Sequence, residues 1–182
     1  MSNTLSTRPA PELMVSQWFN TQEDLSLKKL LGKVVVIEAF QMLCPGCVSH
    51  GLPQAKAVHE TFPQDKVAVI GMHCVFEHHA AMTPTSLEAF LFEYGITFPV
   101  GVDMAGTDAM PKTMEAYRMR GTPSLILIDA AGTLRAQYFG QVPDLRLGAE
   151  IATLLASAPL REKASISDAG TTACTEDGCQ IT

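Results

Sequence analysis

Short apolar runs alternate with amphipathic stretches along the chain, a pattern typical of a β-sheet covered by helices. Residues 34–40 and 67–72 are nearly continuous apolar runs rich in β-branched side chains, as in strands buried on both faces. Between them, residues 45–62 carry apolar positions at roughly helical spacing; Pro45 suits a first helical turn and Pro53 predicts a kink. These three segments predict a βαβ unit with parallel strands and a right-handed crossover.

The second half of the chain continues this pattern. Residues 124–129 and 133–139 predict two strands joined by a tight turn, the first of them antiparallel to the two buried strands. Residues 83–94 predict a helix that ends at Gly95 in a left-handed cap. Residues 98–102 predict a strand, residues 112–119 predict a helix, and residues 144–155 predict an amphipathic helix with Leu145, Leu147, Ile151 and Leu155 on one side.

The pattern weakens towards both ends. Residues 1–10 are polar and contain proline, which predicts a loose arm, and residues 13–31 predict a short hairpin followed by a helical turn. The chain has 182 residues, of which 47% are hydrophobic, enough for one buried core. We therefore expect one domain over residues 11–158, followed by a polar tail at 159–182.

The charge of the chain and the composition of its N-terminus limit the classes of partner and the compartment that we expect. The formal net charge of −6 and the absence of a dense lysine or arginine cluster argue against nucleic acid and anionic membrane as partners. The N-terminus lacks the basic and apolar blocks of a secretory signal, and no stretch reaches membrane-spanning length. A cytoplasmic protein is expected, and in a reducing cytosol its five cysteines indicate redox, catalytic or metal roles more than structural disulfides.

Cys44 and Cys47 are the strongest chemical signal. They lie where the first buried strand gives way to a helix, and a helix N-terminus favours a thiolate through its unpaired N–H groups and its dipole. Cys47 follows one helical turn later, so its sulfur can reach Cys44 and resolve a mixed disulfide by intramolecular attack. The spacing predicts dithiol–disulfide exchange.

Residues 10–157 resemble the thioredoxin superfamily, and within it the TlpA-like or redoxin group of bacterial thiol–disulfide oxidoreductases. The motifs that carry the resemblance are Ala10-Pro11, Leu31-Gly32-Lys33, Cys44-Pro45-Gly46-Cys47 and Gly121-Thr122-Pro123. The resemblance implies an α/β thioredoxin-like three-layer fold, with a central mixed β-sheet flanked by helices; to this we add the N-terminal hairpin extension.

The resemblance also implies roles for individual residues. Cys44 would be the attacking thiol, Cys47 the buried resolving thiol, and Pro123 a cis-proline facing both. The substrates would be protein or small-molecule disulfides, with a thiol or disulfide electron partner, and no organic cofactor is required.

Two further residues are candidates for proton transfer. Glu38 stands in an otherwise apolar strand, six residues before Cys44, a position that resembles that of the buried acid that assists proton transfer in thioredoxins. In a low dielectric it would exchange a proton with Cys47; the alternative is a carboxylate that reaches solvent. His50 stands where many TlpA-like proteins have an acidic residue. It would favour the thiolate when protonated or take a proton from Cys47 when neutral, and the alternative is a solvated helix histidine. Leu43 replaces a tryptophan common before the first cysteine.

The remaining cysteines have simpler interpretations. Cys74, at the end of the second buried strand, is a third-thiol candidate, but we favour an inert core residue because free cysteine is commonly buried. Cys174 and Cys179 in the tail are compatible with a local disulfide, with electron shuttling to the active-site pair, or with metal binding.

Two other functions compete with dithiol exchange. A thiol peroxidase shares the fold and an exposed thiol at this junction, although Gln41 stands where peroxiredoxins have a threonine. A copper- or zinc-binding module would use Cys44, Cys47 and a histidine, but the second close ligand pair of a zinc ribbon is missing at the required spacing.

Overall fold

The computed structural model describes residues 8–107 and 110–157. Six strands form one mixed sheet in the order β1-β4-β3-β2-β5-β6. The strands are β1 (Val15–Phe19), β2 (Val34–Phe40), β3 (Val67–His73), β4 (Val100–Asp103), β5 (Ser124–Ile128) and β6 (Leu134–Phe139). The helices are a π-helical turn (Cys47–Gly51), α1 (Leu52–Thr61), α2 (Pro84–Glu93), α3 (Lys112–Ala116) and α4 (Asp144–Ser157).

The centre of the sheet matches the expected strand pairing. β2 pairs in parallel with β3 along its whole length and antiparallel with β5, and every residue of β2 is buried. β5 and β6 form the expected hairpin. The carboxyl ends of β2 and β3 and the start of β5 therefore meet at one edge of the sheet, where the chain continues into the Cys44 turn.

Two hydrophobic cores lie on opposite faces of the sheet, as alternation along the strands requires. α1, α2 and α4 cover one face, where their apolar side chains pack on Val34, Val36 and Phe40 of β2. α3 and the turn that contains Leu27 and Leu30 cover the other face. Glu38 belongs by this alternation to the face covered by α1.

The helix after Cys44 is irregular at its start. The N–H of Leu52 donates to the carbonyl of Cys47, an i→i+5 bond typical of a π-helical turn, and Pro53 lies in the first turn of α1. Proline supplies no N–H to the helix, and Pro53 is the second residue of α1, which begins directly after the π-helical turn. The kink predicted at Pro53 stays a prediction.

Two expectations near the ends are wrong. The hairpin expected at residues 13–31 is absent from the described structure: β1 pairs antiparallel with the distant β4 instead, and a helical turn follows at residues 27–30. Leu145, expected on the inner side of α4, is 91% exposed, whereas Leu147, Ile151 and Leu154 are buried.

Part of the expected N-terminal arm contacts the domain. The N–H of Ala10 donates to the carbonyl of Gly132 at 2.9 Å, and the N–H of Leu134 donates to the carbonyl of Arg8 at 3.2 Å. Residues 1–7 and the tail with Cys174 and Cys179 lie outside the described residues. Over residues 8–107 and 110–157, no helix combines the length and apolar character needed to cross a bilayer.

Candidate active site

Cys44 and Cys47 sit at the start of the helix that follows β2. The Cys44 N–H donates to the Gln41 carbonyl at 3.2 Å, which closes the turn, and the Cys47 N–H donates to the Cys44 sulfur at 3.3 Å. A backbone N–H directed at sulfur favours the thiolate form. Cys44 is half-buried and Cys47 is fully buried, and both are free thiols.

The two thiols differ in burial and in the hydrogen bonds that they receive. Burial raises the pKa of Cys47 to about 12, and its hydrogen bond with Cys44 adds to the effect. Cys44 is the more accessible sulfur and receives the N–H bond. The geometry therefore pairs one thiol suited to attack with a second that needs a base before it can react.

Pro123 lies opposite the cysteines. The Thr122–Pro123 peptide is cis, and the Cys44 thiol donates to the Thr122 carbonyl at 3.6 Å. Pro123 is fixed from the other side, because its carbonyl accepts the Gly140 N–H at 2.9 Å. A Cβ at Gly46 would lie 3.3 Å from Pro123 Cδ, so the helix start and the proline are in close contact.

Glu38 is buried on the face covered by α1. It is 1% exposed, and its Oε1 has no hydrogen-bond partner among the described residues. Burial raises the pKa of Glu38 well above its ordinary value, and the negative charge of Cys44 raises it further. The buried acid expected from the sequence is thus present beside the dithiol.

Gly51 is a part of the site that sequence reasoning missed. A Cβ at this position would overlap Glu38 Oε1 and would lie 3.3 Å from Pro123. Glycine inside a helix costs about 1 kcal/mol relative to alanine. A glycine four residues after Cys47, inside the predicted helix, is therefore the sequence signal that another group approaches the backbone there.

A cavity of about 210 Å³ opens beside Glu38. His50 lies at its exposed side, with Nδ1 2.7 Å from the Ser49 hydroxyl. Pro123 and Asp144 also line it. The structure therefore brings Glu38, His50 and Pro123 to one opening next to the cysteine pair.

Cys74 has a different environment. It is fully buried at the end of β3, and its thiol lies 3.6 Å from Asp103 Oδ2. Asp103 in turn accepts the N–H groups of Thr113 and Met114 at 2.8 and 3.1 Å. Burial raises the pKa of Cys74 well above its ordinary value, as expected for an inert core thiol.

Gln41 links the Cys44 turn to the loop after β3. Its side-chain oxygen accepts the Phe76 N–H and its amide nitrogen donates to Glu77, each at 3.4 Å. Among the described residues, no group of three or more histidine, cysteine, aspartate or glutamate side chains is arranged to hold a metal ion.

Comparison with known proteins shows which family the chain belongs to. The AhpC/TSA family model matches residues 7–137. The crystal structure of the thioredoxin-like superfamily protein SPOA0173 is similar, with 68% identity, a TM-score of 0.81, and coverage of 83% of this chain and 99% of that one. A thiol-disulfide isomerase from Corynebacterium glutamicum is 52% identical with a TM-score of 0.77, over 81% of this chain and 96% of its own.

A curated relative is much longer. Protein DipZ of Mycobacterium tuberculosis is 31% identical over 135 residues, which are 72% of this chain but 18% of DipZ. The chain thus spans less than a fifth of that relative. The thioredoxin-like α/β fold expected from the sequence is confirmed, and the chain belongs to the AhpC/TSA family, the redoxins of the thioredoxin superfamily, among the thioredoxin-like thiol–disulfide oxidoreductases.

Proposed function

We propose that the chain reduces or exchanges disulfides of protein partners, with Cys44 as nucleophile and Cys47 as resolving thiol, in the manner of TlpA-like proteins. The observation that supports this most is the contact of the half-exposed Cys44 with the cis Thr122–Pro123 segment, with Cys47 buried behind it. An attacking sulfur must be accessible, whereas a resolving sulfur only has to reach its neighbour.

The first step forms a mixed disulfide. The Cys44 thiolate attacks one sulfur of the partner disulfide, the partner S–S bond breaks, and the other partner sulfur leaves as a thiolate that takes a proton from solvent. The extended backbone beside Pro123, held by the Gly140 N–H, gives the partner segment a surface on which to lie against Cys44.

The second step releases the partner. Cys47 gives up its proton and attacks the Cys44 sulfur, so that the Cys44–Cys47 disulfide forms and the partner leaves with two thiols. Glu38 takes up the proton of Cys47 in this proposal, because it is the acid buried beside the pair. A thiol partner then reduces the disulfide again, and no organic cofactor takes part.

A trapping experiment tests this function. Wild-type protein should reduce insulin disulfides, Cys44→Ser should be inactive, and Cys47→Ser should accumulate a mixed disulfide with insulin through Cys44. Mass mapping identifies the linked cysteine. A mixed disulfide on Cys74, or insulin reduction that survives in Cys44→Ser, would contradict the assignment.

The family match supports a thiol peroxidase as a second candidate. In that case Cys44 would reduce peroxide to an alcohol or water and would itself become a sulfenic acid. Peroxide consumption faster than disulfide reduction, lost in Cys44→Ser and retained in Cys47→Ser, would favour this alternative.

We propose the cytoplasm as the compartment of the chain. Fractionation of the source cell tests this, and recovery of as much of the chain outside the cytoplasmic fraction as within it would contradict the proposal.

A further inference from the structure

The cavity beside Glu38 offers a route between the buried acid and solvent. Its volume of about 210 Å³ is far above the roughly 10–15 Å³ that one water molecule needs. The unpartnered Glu38 Oε1 belongs to a residue that lines this cavity, and a buried polar atom of this kind is where ordered water binds. Gly51 keeps the Glu38 end open, since a Cβ there would overlap Oε1.

Resolution requires a base for the Cys47 proton, and burial disfavours the charged forms of both Cys47 and Glu38. Burial raises the pKa of Cys47 to about 12 and that of Glu38 well above its ordinary value. A carboxyl group that still holds its proton cannot accept another. In the protonated form that its burial favours, Glu38 has to export its own proton before or while it receives the one from Cys47.

The hydrogen bonds around His50 define its tautomer. The Ser49 hydroxyl donates to the Pro45 carbonyl at 2.7 Å, because a carbonyl oxygen can only accept. A hydroxyl has one hydrogen, so the 2.7 Å contact with His50 must have Nδ1–H as donor. Neutral His50 thus carries its hydrogen on Nδ1, and its Nε2 is an acceptor with no partner among the described residues.

Three titratable residues line the cavity: Glu38, His50 and Asp144. Asp144 is engaged, since its Oδ1 accepts the Gln54 amide at 2.6 Å. Imidazole is the side chain most often used as a general base in enzymes, and Nε2 of neutral His50 is a free acceptor among the described residues. Of the groups at the cavity, His50 is the one suited to receive a proton from Glu38.

We infer that the cavity is the proton exit of the resolution step, with His50 Nε2 as the acceptor that discharges Glu38 through cavity water. This inference rests on the proposed dithiol function and assigns a route to its second step. When Cys47 attacks, the Cys47–Cys44 bond forms, the bond from Cys44 to the partner sulfur breaks, and the partner thiolate leaves with the electron pair. The Cys47 proton passes to Glu38, whose own proton has passed to His50 and then to solvent.

Single-turnover kinetics with Ellman's reagent separate the two steps. In a full-length Cys174→Ser, Cys179→Ser background, the first thionitrobenzoate released reports attack by Cys44 and the second reports resolution by Cys47. The ratio of the second rate to the first should fall about tenfold in His50→Gln, less than the roughly 10²–10⁴-fold of a direct general base, because His50 acts through Glu38. Imidazole in the buffer should restore the ratio, a response that a structural defect would not show.

Matched variants complete the test. His79→Gln changes an exposed histidine away from the cavity and should leave the ratio unchanged. In a Glu38→Gln background, His50→Gln should add no further loss, because both residues act on one proton path. An unchanged ratio in His50→Gln, no rescue by imidazole, or an equal loss in Asp144→Asn would overturn the inference. Release of only one equivalent by the parent protein would instead contradict the dithiol function itself.

Discussion

Cys47 and Cys74 make an instructive pair, because both are fully buried thiols close to a buried acid. Burial raises the pKa of both. Cys47 has a second sulfur beside it, whose position is fixed by the Cys47 N–H at 3.3 Å. Cys74 lies 3.6 Å from Asp103 and has no second thiol in contact among the described residues.

The buried acids beside these two thiols, Asp103 beside Cys74 and Glu38 beside Cys47, also differ in their hydrogen bonds. Asp103 accepts two N–H groups from the start of α3, so its carboxylate is occupied in holding that helix. Glu38 keeps an unpartnered oxygen beside an open cavity. Burial and an acidic neighbour are therefore common to Cys47 and Cys74. A second sulfur in contact and an open cavity beside the acid are what set Cys47 apart.

The largest expected contrast is between Cys44→Ser and Cys74→Ala. Loss of the attacking sulfur should lower insulin reduction by about 1,000-fold or more, because the covalent step is removed. Cys74→Ala should leave the activity within about twofold while lowering the free energy of unfolding by about 1 kcal/mol, through the lost packing of one sulfur. Activity assays and chemical denaturation measure the two effects. Loss of activity in a folded Cys74→Ala protein would place Cys74 in the reaction.

The next contrast is between the two acids. Glu38→Gln should slow the resolution step about 100-fold, since a proton acceptor is removed. Asp103→Asn should leave resolution unchanged but destabilise the fold by about 1–2 kcal/mol, because the charged cap of α3 is weakened. Stopped-flow kinetics and denaturation on both variants test this division. Equal kinetic losses would erase the distinction drawn between Glu38 and Asp103.

Glu38 should make its own contribution to the pH dependence of stability, opposite in sign to that of His73, whose pKa is lowered by burial to about 4. Its pKa in the folded chain lies above the ordinary value of 4.5, so above that pH the folded state binds more protons than the unfolded state. The free energy of unfolding then falls as pH rises through this window. Glu38→Gln should remove this fall. Denaturation at about pH 5 and about pH 8 makes the comparison, and an unchanged slope in the variant would assign the effect to other groups.

The smallest expected effect concerns the space beside Glu38. Gly51→Ala should lower the free energy of unfolding by about 1–2 kcal/mol, because the added Cβ overlaps Glu38 Oε1. Gly148→Ala in α4 is the matched control, since a Cβ there meets nothing within 4 Å, and it should raise stability by up to about 1 kcal/mol. Combining Gly51→Ala with Glu38→Ala should recover part of the loss. Simple addition of the two single effects would contradict direct contact.

Local sequence patterns predicted the central strands correctly. They failed where a strand pairs with another strand that is distant in the sequence. The apolar runs predicted β2 and β3, which are confirmed, because a strand buried on both faces is continuously apolar. β1 pairs with β4, some 80 residues away in the sequence, and the local sequence contains no signal for that partner. Leu145 is exposed because the first turn of α4 directs it away from the sheet, although it shares the apolar character of Leu147.

The residues of the candidate site also divide into those that the sequence predicted and those that it did not. The structure brings together Cys44, Cys47, Glu38 and Pro123, which motif spacing and family resemblance had indicated; their roles stay predictions. The sequence does not reveal Gly51 as the residue that makes room for Glu38, because close approach of a backbone to a side chain depends on how α1 packs on the sheet. Asp103 was also missed, since an acid at a strand end is common and its role as a cap depends on where α3 begins.

The central claim is that Cys44 and Cys47 form one redox couple. Equilibration of the full chain in glutathione buffers of graded potential, followed by acid quenching and peptide mapping, tests it directly. We expect a single two-electron transition, in which a tenfold change in the equilibrium constant corresponds to about 30 mV, and a mapped disulfide between Cys44 and Cys47. A chain in which these two cysteines never pair at any potential, or in which Cys44 pairs with another cysteine, would contradict the account.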